Sequence, residues 1–349
     1  MVAPAPLAAT VPVVRLAGRD DERCVESLLA ATLRQGTLGP DRLELELVDF
    51  GAGRGGAPGF LFDDVALGAA LELAMGGSSK VTLFRGEITA LEERQGGGAP
   101  RLVVLAEDAL HRLARDRRSR VFEEKSLDDV VQEIAGEAGL QADAQAGSAT
   151  ATWHQLNEST LAFLRRLLAP LDLPLRLDAE GRLVARPFAD AAEAIELHAG
   201  DQIQSLRLIA DLARLVTEGK SHGRDLSAGD AVEEACATLQ PAPAGRSGPD
   251  LLAELGWPGP AFAPSPEPAS RAQGEAFAKG RFARAAARFL HGELIVDGEP
   301  RLVPGAAVEL GGVSPRFRGR WQVGAAVHRF DRAHGYQTLA EVARAGLAP

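Results

Sequence analysis

Apolar and polar residues alternate along much of this chain, and a two-residue period marks a strand with one buried face. The clearest case is DRLELELVDF, where Leu43, Leu45 and Leu47 alternate with Glu44 and Glu46. Residues 11–18, 26–34, 42–49, 81–94 and 101–108 read as strands on the same grounds. Leu71, Leu73 and Met75 alternate between Gly68 and Gly76, which favours strand over the helix that the local Ala and Leu content would permit. GAGRGGAPG at 51–59 reads as a loop. QGGGAPR, with glycines at 96–98, joins two strands as a hairpin. No helix-length pattern separates these strands, so they predict an antiparallel β region with short connections.

The period changes at Ser126. SLDDVVQEIAGEAGL predicts a helix capped by Ser126, with Asp128 and Asp129 in its first turn, where acids oppose the helix dipole. Val130, Val131, Ile134 and Ala138 form its apolar stripe, and Gly139 suits the stop. An extended piece, TATWHQLNEST, follows. A second helix places Leu161, Leu164, Leu167 and Leu168 on one face and Arg165 and Arg166 on the other. Asn157 or Ser159 caps it, and Pro170 and Pro174 end it. LPLRLDAEGRLVARP then predicts strand, turn and strand. The arginine-rich stretch 109–125 reads as an exposed connector. Residues 195–225 return to β patterning, and 240–270 is a proline-rich loop or linker. An Ala/Arg-rich amphipathic helix over 270–290 offers Ala276, Phe277, Phe282 and Phe289 for packing, and the remainder is β. The fold class is therefore α+β, mainly β, with no internal repeat.

The chain has 349 residues, enough for two or three cores, and its 46% hydrophobic and 25% charged content is that of a globular protein. The net charge of −10 is uneven. Residues 1–125 carry 16 basic and 19 acidic groups, 126–270 carry 10 and 22, and 271–349 carry 12 and 7. The acidic middle argues against specific nucleic-acid binding, which needs a basic surface. The basic final segment reads as a solvated, arginine-rich helix face more readily than as a surface for an acidic partner. Cys24 and Cys236 lie far apart with no Cys or His at metal spacing, so neither a zinc site nor a disulfide framework is expected. No apolar run reaches about 18 residues and no basic leader opens the chain, so the expectation is a protein made in the cytoplasm without a signal peptide and without a membrane span.

Candidate chemistry is sparse. GKSHG at 219–223 matches the G-x-S-x-G nucleophile elbow, with Ser221 as nucleophile and Asp297 and His328 following in hydrolase order. The upstream chain lacks the β-α-β alternation such an elbow needs. A phosphate-binding loop through Gly219, Lys220 and Ser221 fails because the required earlier glycine is Arg214. His154 and Glu158, or His328 and His334, lack a third convergent ligand and read as structural. The helix dipole already accounts for Asp128 and Asp129. The expectation is no catalytic residue, no cofactor and no metal.

Some segments are distinctive as text. WHQLNESTLAFLRRLLAPLDLPLRLDAEGRLVARP, preceded by SLDDVVQEIAGEAGL, resembles the late control D family, the baseplate hub proteins of contractile phage tails. It is also similar to the N-terminal hub region of the valine-glycine-repeat spike proteins of type VI secretion. The strand LFRGEITALE, the run Gly298–Gly305, the run Phe317–Val323, His328 and Gly335–Thr338 agree with that family, though Trp321 stands where it often has tyrosine. The proline-rich stretch has no counterpart, and the spike is expected to be a separate protein. The resemblance implies two tube-forming antiparallel β-barrel-like domains with an α/β insertion. The expected division is a first barrel at 1–110, an insertion at 111–190, the second barrel at 191–239 and 271–349, and a linker at 240–270. It further implies a non-enzymatic homotrimer that joins a sixfold tail tube to a threefold central spike within a baseplate. Two other readings stand beside it: a serine hydrolase using Ser221, and a monomeric β-rich binding protein.

Overall fold

The computed structural model describes residues 11–52, 56–188, 193–225, 228–257, 259–263 and 266–347. The opening MVAPAPLAAT, residues 53–55 of the expected glycine-rich loop, 226–227 of RDLSAGD and 264–265 of the proline-rich stretch lie outside them.

The alternating segments become strands. They are β1 (Val13–Leu16), β2 (Arg19–Asp20), β3 (Leu28–Gln35), β4 (Arg42–Val48), β7 (Ala70–Gly76), β8 (Lys80–Arg94) and β9 (Arg101–Glu107), with a small ribbon of β5 (Gly51–Ala52) and β6 (Pro58–Gly59). The expected hairpin forms, with Leu91 opposite Val104 and Arg94 opposite Arg101. Leu43, Leu45, Leu47, Leu71, Leu73 and Met75 all point into one core. A helix that the hydrophobic pattern did not indicate, α1 (Glu22–Ser27), precedes β3, and its first turn is capped by the Asp21 side chain.

The expected connector at 109–125 is instead α2 (Leu110–Arg115) followed by β10 (Arg117–Lys125). Leu110, His111 and Leu113 are buried. β10 pairs with β12 (Ala151–Ser159) as a two-stranded ribbon in which only Phe122 of β10 is buried, so the strand carries no apolar alternation to read. Two of its three arginines are neutralised locally: Arg118 reaches Asp116, and Arg118 and Arg120 reach Glu137, each at 2.8 Å.

The helical block forms as its caps dictate. α3 (Leu127–Glu137) starts at a Ser126–Asp129 capping box, and α4 (Thr160–Leu168) starts at Ser159, which settles the choice between Asn157 and Ser159. Val130, Val131, Ile134, Leu161, Leu164, Leu167 and Leu168 share a third core, where Phe122 stacks on Phe163 at 5.6 Å. Ala138 is only partly buried, and Ala135 takes the inward position. β11 (Ala142–Ala144), β13 (Arg176–Leu177) and β14 (Leu183–Ala185) form a small mixed sheet beneath the helices.

The second β region holds β15 (Ile195–His198), β16 (Ile203–Ala210), β21 (Leu290–Asp297), β22 (Ala307–Gly311), β23 (Gly319–Asp331) and β24 (Gly335–Arg344) around a second core centred on Trp321, Leu294 and Val308. The two β regions are one fabric. β23 pairs with β3, placing Phe330 opposite Ala31 and His328 opposite Leu33. The result, among the described residues, is a 13-stranded sheet running β16-β21-β24-β23-β3-β4-β9-β8-β7-β1-β2, with β22 and β15 branching from β23. Phe330 and Tyr336, near the turn of the last long hairpin, belong to the first core.

The stretch 240–270 was expected as loop or linker, and it contains ordered elements. β19 (Arg246–Ser247) pairs with β25 (Gly346–Leu347). α5 (Gly248–Glu254) opens on a Ser247–Asp250 capping box with Pro249 in its first turn. β20 (Pro260–Ala263) pairs with β17 (Glu218–Arg224), which also pairs with β18 (Ala231–Cys236). Two of the prolines, Pro249 and Pro260, occupy a helix start and a strand start, the places where a missing N–H costs least. The expected long helix is α6 (Arg271–Ala287), with Phe277 and Phe282 buried and Phe289 sealed just beyond its end.

Candidate assembly surface

The sequence candidates for chemistry are dispersed by the fold. Ser221 sits in the middle of β17, flanked by β18 and β20, and not at a strand-to-helix elbow. It is fully buried, and its Oγ has no hydrogen-bond partner among the described residues. The flanking glycines serve packing. A Cβ on Gly219 would lie 2.5 Å from the Ala278 carbonyl oxygen of α6, and one on Gly223 would lie 2.3 Å from the Pro268 carbonyl oxygen. The would-be triad partners belong to the 13-stranded sheet, with β24 between them. Asp297 accepts from Gln204, and His328 lies with its Nδ1 2.8 Å from the Tyr336 hydroxyl and 3.3 Å from Thr338 Oγ1. Burial lowers His328 to about 4 and raises the Tyr336 phenol, so this is a neutral, structural cluster at ordinary pH.

The histidine pairs are no closer to a metal site. Glu158 ion-pairs with Arg166, which also donates to the His154 carbonyl, and His334 contacts Asp331. Among the described residues no group of three His, Cys, Asp or Glu side chains is placed to hold a metal ion. Cys24 is buried in the first core, which pushes its thiol up to about 12. No helix among them is long and apolar enough to cross a membrane.

The sheet margins are the chemistry that remains. At one end, β1 and β2 are short and charged, with Arg15 bonded to Asp20 at 2.5 Å and 3.7 Å from Glu72. Short charged edges resist further pairing. At the other end, β16 is eight residues long, IQSLRLIA, with Arg207 as its single charge. It pairs on one side with β21, from Ile203 opposite Val296 to Ala210 opposite Leu290. Among the described residues no strand pairs with its other side beyond a bridge between Ala199 and Ile203. Gln204 ties the face of this end together by donating to Asp297 and accepting from Gln337, both at 2.6 Å. A shallow groove of about 360 Å³ runs across β16, β21, β24 and β23, lined by Arg207, His291, Glu293, Gly324 and Glu341. An eight-residue edge with free backbone donors and acceptors is a template for one more strand. Hydrophobic periodicity located β16, while its edge position depends on a pairing order that no local signal carries.

The helical block is anchored to α6. Arg284 of α6 bonds Asp172 at 2.7 Å and also donates to the Ala169 carbonyl. Gly280 lets α6 approach the Pro170–Leu171 turn, where a Cβ would meet the Pro170 oxygen at 2.6 Å.

Solved structures with this architecture include phage tail proteins. The 43 kDa tail protein of prophage MuSo2 from Shewanella oneidensis matches over 95% of this chain and 98% of its own, at 13% identity and a TM-score of 0.72. A tail protein from Neisseria meningitidis matches over 96% and 97%, at 13% identity and a TM-score of 0.69. The Escherichia coli c3393 protein, a type VI secretion component with structural similarity to the T4 phage tail proteins gp27 and gp5, matches over 96% and 79%, at 13% identity and a TM-score of 0.62. The chain thus has the fold of phage tail proteins. No curated protein matches it in sequence. The Alg8 N-terminal domain family matches residues 63–331, most of the chain, and this protein belongs to that family.

Proposed function

We propose that this protein is a structural hub subunit of a contractile tail or injection particle, of the late control D kind. In this reading it forms a homotrimeric ring in the baseplate, between a sixfold tail tube and a threefold central spike. The observation that carries it is the 13-stranded, mainly antiparallel sheet, in a fold similar over 95% of the chain to that of a phage tail protein, that finishes in a long, nearly uncharged edge at β16. Residues 1–110 serve as the first barrel-like unit, 191–239 and 271–349 as the second, and 111–190 as the buttress between them. Three chains with two such units each present six similar units around one axis, which lets a threefold object meet a sixfold one. The role needs geometry and no chemistry, in keeping with the buried, strand-bound Ser221. Assembly places the protein in the particle after synthesis in the cytoplasm.

The test is co-expression with its tube and spike partners, followed by mass measurement and electron microscopy. A ring of three copies is expected. A chain that stays monomeric with both partners present overturns the reading. Proline at Leu206 or Arg207 is the sharper variant, because one of two adjacent N–H groups faces the open edge. The variant that spares the β21 ladder keeps its fold and loses the ring.

A further inference from the structure

Three distant stretches of the chain meet around a cavity of about 280 Å³. The β3–β4 turn brings Gln35 and Asp41, with Asp108 beside them at the entry to α2. The hairpin turn after β13 brings Arg176 to Gly181, and the loop before β22 brings Pro300 to Pro304. The first half of β8 forms the remaining wall.

Asp41 and Asp108 are clasped together by main chain. The Asp41 N–H donates to Asp108 Oδ2 at 3.0 Å, and the Asp108 N–H donates to the Asp41 carbonyl at 3.2 Å. Asp41 also accepts from Gln35 Nε2 at 2.9 Å and the Gly36 N–H at 3.3 Å, and Asp108 accepts from the Leu110 N–H at 2.9 Å. Gln35 bridges onward to the Leu83 carbonyl of β8 at 3.2 Å. Among the described residues, no basic side chain forms an ion pair with either carboxylate.

Most of the surrounding charges are engaged; the exception is Arg176, which forms no ion pair among the described residues and whose Nε is buried without a hydrogen-bond partner. On the first sheet, Glu107 repels Asp108 and pairs with Arg42 at 2.9 Å. His111 contacts the Asp108 carbonyl and stands 3.5 Å from Glu87, which also pairs with Arg112. Arg85 donates to the Ala179 carbonyl at 2.7 Å and lies 4.0 Å from Glu72. Across the cavity, Arg176 attracts Asp41 and is itself attracted by Asp178 and Asp143 and repelled by Arg186. Arg301 is held by Glu299 at 2.7 Å. Burial dominates this balance. It lifts Asp41 to about 6 against Gln35, Gly36 and Arg176, and it lifts Asp108 to about 7 with the charge on Asp41 adding to it.

We propose that Asp41 and Asp108 form a proton-operated joint: proton uptake closes the cavity around the hairpin turn and the 300–304 loop, and proton loss opens it to water. The sign follows from linkage. A carboxyl that is more basic when closed than when open binds more protons in the closed state. The resulting stabilisation is complete below the ordinary carboxylate range and is lost as pH rises through about 6 and 7. Acidification therefore tightens the junction of the three stretches, and neutral to alkaline conditions loosen it. The joint belongs to the isolated chain and stands apart from the hub assignment.

Amide hydrogen exchange on the intact chain between pH 5 and 8, corrected for intrinsic rates, tests it. Segments 35–41, 176–181 and 300–304 are expected to open on the order of a hundredfold more at pH 8 than at pH 5, while α6 does not change in this way. Asp108→Asn should flatten most of that slope, and Asp41→Asn with Asp108→Asn should abolish it. His111→Gln, the control for the neighbouring imidazole, should keep it. A flat wild-type profile overturns the proposal without any variant, so it is decided even if the double variant does not fold. A slope that survives the double variant, or that vanishes with His111→Gln, overturns it as well.

Discussion

Ser221 lies in mid-strand with its hydroxyl sealed from water and from any acceptor among the described residues. A buried hydroxyl without a partner carries a desolvation penalty. Ser221→Ala is therefore expected to leave stability unchanged or raise it by up to about 1 kcal/mol, and fluorophosphonate probes should not label the native protein. Gly219→Ala and Gly223→Ala should each cost about 2 kcal/mol or more in chemical denaturation, because the added methyl meets a carbonyl oxygen. Were Ser221→Ala the damaging change and the glycines tolerant, the packing account of GKSHG would fail. His328 titrates with the opposite sign to the acidic joint. Its folded pKa of about 4 lies below the ordinary imidazole value, so the unfolded chain takes up the proton first. Stability from this residue is complete above about 6.5 and is lost as pH falls towards 4, by up to about 3 kcal/mol. Unfolding midpoints for His328→Gln against wild type should converge as pH drops through that window.

Elements were legible where local chemistry alone decides them. Ser126 and Ser159 each accept from a backbone N–H of the first turn, as the sequence indicates. Ser126→Ala and Ser159→Ala should each lower unfolding free energy by about 1 kcal/mol, measured by denaturant titration with unchanged slope. The same logic was present at Ser247 and Asp250, where the surrounding prolines hid it. Pro249 and Pro260 sit at element starts and do not break structure there. β10 was missed for a different reason. A two-stranded ribbon buries so little of either face that its residues carry no alternation, and its arginines are chosen for Asp116 and Glu137.

At the scale of the molecule, the two β regions share one sheet through β3 and β23. Phe330 is 1% exposed and packs in the core of the N-terminal strands although it lies some 300 residues from them in sequence. Phe330→Ala should cost about 3–5 kcal/mol, and a fragment ending before β21 should fail to fold cooperatively by circular dichroism and thermal melting. A stable, cooperative fragment of 1–125 would show that the first core is self-sufficient and would contradict the shared sheet as its support.

The sequence by itself determined the strands whose apolar residues repeat every second position, the two capped helices, the α+β class and a resemblance to phage tail proteins. These depend on contacts within a few residues, and short-range periodicity records them. Tertiary structure alone decided the rest. Pairing order made β16 an edge and spliced Phe330 into a distant core. The approach of α6 turned a nucleophile motif into a packing motif, and the meeting of three remote stretches enclosed a cavity beside Asp41 and Asp108. Each of these follows from which segments come together across hundreds of residues, and the choice of pairing partner leaves no mark on the local pattern of either strand.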